Sequence, residues 1–125
     1  AGPPAIIEFK PFVSALDTAA SRRFYEAIGF DIRVLSETTC IVDTGQGKFV
    51  LAQHEGEGTD EAPKHQMLHL WVESADAWCA YLRTLDLGVK IPDPKLMPWG
   101  LRVCFVADPA GVLWHVAEEP KSAPT

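Results

Sequence analysis

The chain has 125 residues, 47% of them hydrophobic, and a formal net charge of −6. That size and apolar content suffice for one compact domain with a buried core, and the acidic balance without any Lys/Arg cluster excludes nucleic acid as the main partner. No apolar run approaches the roughly 20 residues that cross a bilayer, which argues against a membrane partner.

Ala1-Gly2-Pro3-Pro4 lacks the charged and apolar regions of a signal peptide. Cys40, Cys79 and Cys104 lie far apart with no Cys-x-x-Cys, so they read as reduced thiols of a cytoplasmic protein. Cys79 and Cys104 fall in apolar stretches and suit core filling.

Residues 6–14 alternate loosely and predict a strand. Asp17 or Thr18 then caps a helix running to 28, where Gly29 supplies a left-handed stop. Ala20, Phe24, Ala27 and Ile28 are its expected buried face. Strands are predicted over 31–35, 40–43 and 48–53, with Ser36-Glu37-Thr38 and Gly45-Gln46-Gly47 as turns.

The polar stretch 55–65 reads as a linker, and the same order then returns. Residues 67–72 predict a strand, and Ser74 or Asp76 starts a helix with Trp78, Tyr81, Leu82 and Leu85 on one face. Gly88 is its expected end, followed by a short extended piece over 89–91. Pro98-Trp99-Gly100 opens a hairpin that turns at Asp108-Pro109-Ala110-Gly111.

The chain therefore reads as a twofold repeat, α+β, with two βαβββ modules over about 6–54 and 66–119. Each sheet has one face covered by its helix. Set side by side, the two sheets would make a cleft-shaped half-barrel able to take a ligand, a partner chain or both.

Three segments carry a family resemblance. They are Pro11 to Asp17 with Phe24-Tyr25 and Gly29-Phe30, then Trp71-Val72 with the helix after it, then Pro98 to His115 with its Asp-Pro-Ala-Gly turn. In this order they resemble the vicinal oxygen chelate superfamily of glyoxalases, extradiol dioxygenases and fosfomycin- and bleomycin-resistance proteins, and most of all the bleomycin-resistance type. The resemblance implies the glyoxalase/bleomycin-resistance fold. It covers most of the chain and speaks more strongly for fold than for chemistry.

Metal-dependent members place a His or Glu at one inward position on each of four strands. The resemblance puts those positions near Lys10, Ala52, Met67 and His115, of which only His115 suits a hard divalent ion. The implied function is metal-free: a homodimer that binds an antibiotic at its subunit boundary without altering it, with no cofactor. Val103 and Cys104 stand where that type carries Glu and Phe.

Strand alternation assigns faces. With Lys10 and His115 turned inward, Lys10, Phe12, Met67, His69, Trp71, Arg102, Cys104 and His115 line the cleft, and Trp114 faces the helices. Trp71 and Trp99 offer stacking surfaces for a planar ligand. Lys10 and Arg102 offer positive charge to a carboxylate or phosphate, though Arg102 equally suits an internal ion pair. His54, His69 and His115 read as imidazoles of a wet cleft. The alternative is a lyase, isomerase or dioxygenase of the same superfamily, using those histidines for a metal or Lys10 or His115 for acid–base work.

Overall fold

Asp17 begins the first helix, its carboxylate accepting the amides of Ala19 and Ala20 at 3.1 and 3.4 Å. Gly29, at φ 110°, ends it in the left-handed region where a side chain would be strained. The chain is described by a computed structural model covering residues 2–54 and 62–120. Its elements are β1 (Phe12–Ala15), α1 (Thr18–Ile28), β2 (Asp31–Ser36), β3 (Thr39–Asp43), β4 (Lys48–Gln53), β5 (Met67–Val72), α2 (Ala75–Arg83), β6 (Lys95–Leu96), β7 (Arg102–Ala107) and β8 (Leu113–Glu118). A 3-10 turn, Ala62–His65, precedes β5. Of the stretch expected as a linker, residues 55–61 lie outside the described residues.

The two sheets repeat one topology. Their strand orders are β1-β4-β3-β2 and β5-β8-β7-β6, each with one parallel pair at its edge. This is the paired βαβββ architecture read from the sequence.

Four expectations need correction. The first strand spans only Phe12–Ala15. Its parallel partner β4 starts at Lys48, so a strand reaching back to residue 6 would lie beside the Gly45–Gly47 turn. Val50 N–H donating to Pro11 carbonyl is the last rung. Ile6, Ile7 and Phe9 are consequently exposed.

Helix α1 buries Thr18, Ser21, Phe24, Tyr25 and Ile28, while Ala20 is half-buried and Ala27 is exposed. The helix is gripped by both modules at once, which rotates its apolar stripe toward Tyr25. Helix α2 stops at Arg83, five residues before Gly88. Thr84 and Leu85 amides bond Tyr81 and Leu82 carbonyls, and the Thr84 hydroxyl donates to Tyr81 carbonyl at 2.6 Å, tightening the last turn. The extended piece expected over 89–91 is not a strand; β6 forms at Lys95–Leu96 instead.

The helix-lined faces of both sheets meet in one core. Val13, Phe49 and Leu51 from the first half share it with Cys104, Val106, Trp114 and Val116 from the second. Trp114 packs 5.9–6.1 Å from the rings of Tyr25, Phe30 and Phe49. Two further ties close the seam. The Tyr81 hydroxyl donates to Ile28 carbonyl at 2.6 Å. The Gln66 amide accepts from Ser14 N–H at 2.7 Å and donates to Phe12 carbonyl at 3.2 Å, satisfying the edge of β1 as a strand would.

Candidate functional site: the open face of the second sheet

Packing both helix-lined faces inward leaves the opposite face of each sheet open. On the second sheet the register decides which side chains share that face. His69 lies directly opposite His115, and His115 opposite Phe105. Met67, His69 and Trp71 on β5, Leu113 and His115 on β8, and Phe105 and Ala107 on β7 therefore form one surface.

Its centre is a row of four rings. The His69 imidazole stands edge-on to Trp71 with centroids 4.3 Å apart, and His115 stands edge-on to Phe105 at 4.8 Å. The two imidazole centroids are 6.5 Å apart. His115 sits below the ordinary histidine range, because burial disfavours its cation and the facing His69 opposes a second charge. Its Nε2 is buried with no hydrogen-bond partner among the described residues. Trp71 is 49% exposed, so a flat stacking surface faces outward beside these rings. Trp99 is exposed in the turn joining β6 to β7, at the same end of the sheet as Trp71.

The remaining expected residues fall elsewhere. Arg102 and Cys104 do not share the His115 face. Ala107 pairs with Leu113 across the turn, so residues facing each other sum to 220, and Cys104 opposes Val116 in the core. Arg102 instead grips Asp76 on α2 through Nε at 3.0 Å and Nη2 at 2.8 Å. Its proximity holds the Asp76 carboxyl below the usual carboxylate range. Cys104 is fully buried.

Lys10 lies on the first sheet's side, ion-paired to Glu8, in a groove shared with Asp31, Arg33, Asp43 and Lys48. Phe12 is exposed on that sheet's open face. His54 follows β4, its amide bonded to Ala15 carbonyl and its Nε2 buried without a partner among the described residues.

Phe105 is the residue that sequence reasoning missed. Its signal was present in the Asp108–Val112 turn, whose length sets the parity of both strands. A slip of one residue exchanges the faces of a whole strand. Met67 keeps the face expected of it, opposite Leu113, and the β5 side chain directly beside His115 is His69.

Metal chemistry requires three or four donors converging on one point. His69 and His115 supply two. Among the described residues no three His, Cys, Asp or Glu side chains are grouped to hold an ion. Among the described residues the donor set does not fit the superfamily's divalent metal. The recess between the helices, lined by Phe24, Ile28, Trp78, Leu82 and Trp114, is wholly apolar and has room for about 20 Å3, near that of one water.

Residues 12–116 match the family model described as Glyoxalase/Bleomycin resistance protein/Dioxygenase superfamily. Among solved structures, the chain resembles a bleomycin-binding protein complexed with bleomycin, with 19% identity and a TM-score of 0.75 over 92% of this chain and 100% of that one. It resembles likewise the bleomycin-binding protein from bleomycin-producing Streptomyces verticillus complexed with copper(II)-bleomycin, with 18% identity, TM-score 0.75, and 93% and 98% coverage. A lactoylglutathione lyase from Agrobacterium tumefaciens follows at 18% identity and TM-score 0.68, with 94% and 95% coverage. Curated protein sequences gave no match. At these identities the solved structures speak for the fold, and the family match over most of the length makes the chain a member of the glyoxalase/bleomycin resistance protein/dioxygenase superfamily.

Proposed function

We propose that this chain binds a small planar ligand on the open face of its second sheet and sequesters it unaltered, in a cleft completed by a second copy. The observation that carries the reading is the row Trp71, His69, His115 and Phe105: two imidazoles and two aromatic rings on one face, with Trp71 half exposed. Flat polarizable surfaces and one neutral imidazole favour a planar, largely uncharged ring system. Sequestration needs affinity alone, and this row suits affinity better than transition-state selectivity.

Two observations support a second copy. Each sheet leaves one face open, and Phe12, Met67, Leu96 and Trp99 are all more than half exposed. Apolar side chains of that size and number are a typical interaction surface. Similar structures are of bleomycin-binding proteins, which supports an antibiotic as the ligand class. Binding of this kind requires no cofactor.

The test is a thermal-shift screen of aromatic antibiotics, followed by tryptophan-fluorescence titration of each hit and of its Trp71→Ala and Trp99→Ala variants. Loss of one stacked indole should weaken binding about tenfold, near 1.5 kcal/mol. Unchanged affinity in both variants would overturn the reading. The direct opposition of His69 and His115 is the one observation favouring the rival, a metal-dependent enzyme. Metal analysis of protein purified without chelator separates them: a stoichiometric divalent ion lost in His69→Ala selects the enzyme.

A further inference from the structure

Strand β7 separates two chemistries by a single peptide unit. Phe105 faces the ring row, and Cys104 faces helix α2. The bidentate Arg102–Asp76 pair fixes how β7 lies against that helix. Two residues on from Arg102, about 6.7 Å along the strand, is Cys104 on the same face. Three residues on from Asp76, about 4.5 Å along the helix, is Cys79 on the same face. The geometry thus sets two buried free thiols on facing surfaces of helix and strand.

We propose that Cys79 and Cys104 form a reversible disulfide under peroxide, and that this bond regulates the ligand face by shifting Phe105 against His115. The regulatory half rests on the ring row being the ligand site. The thiol chemistry stands apart from it.

Access is provided locally. The Cys79 thiol donates to Pro92 carbonyl at 3.5 Å, so the strap around Pro92 is its cover. Arg83 holds that strap through Ile91 carbonyl at 2.9 Å and Asp93 at 2.7 Å, side chains and carbonyls that are solvent-facing. The same guanidinium lies near both sulfurs, but at Cys104 burial outweighs it and pushes the thiol up to about 12. Cys79, directly beneath the strap, is the sulfur that peroxide reaches first, and Cys104, fully buried behind it, resolves.

In the first step the Cys79 thiolate attacks a peroxide oxygen. The O–O bond breaks, Cys79 becomes a sulfenic acid, and an alkoxide or hydroxide leaves with the electron pair. In the second, Cys104 sulfur attacks the sulfenic sulfur. The S–O bond breaks, the S–S bond forms, and hydroxide leaves as water with the Cys104 proton. Two thiols are oxidised and one peroxide is reduced to alcohol, or water, plus water.

The experiment treats the folded chain with hydrogen peroxide, then counts thiols after unfolding in an alkylating reagent. Two of the three thiols should be lost, leaving Cys40. The intact mass should fall by two hydrogen atoms, a digest should link the peptides carrying residues 79 and 104, and dithiothreitol should restore all three. Cys40→Ser should behave identically, whereas Cys79→Ser and Cys104→Ser should form no bond.

In ligand-free protein, oxidation should also shift the His115 ring proton signals in the NMR spectrum. Survival of all three thiols, a gained oxygen without a link, or a link with unmoved His115 signals each overturns the proposal. A failed ligand screen alongside a formed disulfide would instead sink the sequestration reading and the regulatory half with it, leaving the thiol chemistry standing.

Discussion

The Tyr25 hydroxyl donates to the Asp108 carboxylate at 2.6 Å, joining residues 83 apart in sequence and tying the first helix to the turn between the last two strands. Trp114 Nε1 donates to the same hydroxyl at 3.0 Å, and Asp108 also accepts the amides of Ala110 and Val112 at 2.8 and 3.0 Å. Burial pushes the Asp108 carboxyl up from its ordinary range, against the pull of these bonds, and pushes Tyr25 well above its own. The cluster is a buried polar knot in an otherwise apolar seam.

Tyr25→Phe keeps the ring and deletes the knot's centre. Asp108 and Trp114 each lose a partner in a dry site, and the expected cost is about 1–3 kcal/mol. Urea denaturation should show a lower midpoint with an unchanged slope. A midpoint equal to the parent's would mean that ring packing alone joins the halves.

Gln66→Ala tests the second tie. It removes the bonds to Ser14 N–H and Phe12 carbonyl, leaving the β1 edge to solvent. A loss of roughly 1–2 kcal/mol is expected. Amide exchange at Ser14 should accelerate more than at Val13. Equal acceleration at both would show that the strand frays as a whole.

Acid should weaken the fold through His115. Its folded affinity for protons is lowered by burial first and by His69 second, so the unfolded chain binds the proton more tightly. Its stabilising contribution is complete above the unfolded value of about 6.5 and is lost as the pH falls through the lowered folded value. Urea midpoints measured from about pH 7.5 down to about pH 5 should decline, and His115→Gln should flatten that decline. A parallel slope in the variant would place the titration elsewhere.

The corrected register makes a sharp contrast between neighbours. Phe105→Ala should weaken any ligand detected by fluorescence about tenfold, through loss of one ring wall. Arg102→Ala should leave affinity unchanged and lower stability only slightly, because its pairing with Asp76 is solvent-facing. The opposite pattern would return Arg102 to the ligand.

Features written locally were legible. Asp17 and Gly29 bracket α1 by side-chain chemistry and backbone freedom, and β4 spans residues 48–53 as its alternation suggests. Features set by distant partners were not. Residues 6–11 alternate like a strand yet run past the end of β4, and α1 turns Tyr25 inward to ring partners and to Asp108, 83 residues away. The candidate site was half readable: Trp71, His69 and His115 followed from alternation within their own strands. Phe105 and Cys104 exchanged places because the parity of β7 depends on the turn beyond it.

The joint between the halves runs through Tyr25, Asp108, Trp114 and Gln66, none of which points toward the open faces. Replacing a ring at position 71 or 105 therefore leaves the framework's fastenings untouched. New surfaces can be written onto such a chain one residue at a time while its architecture holds still.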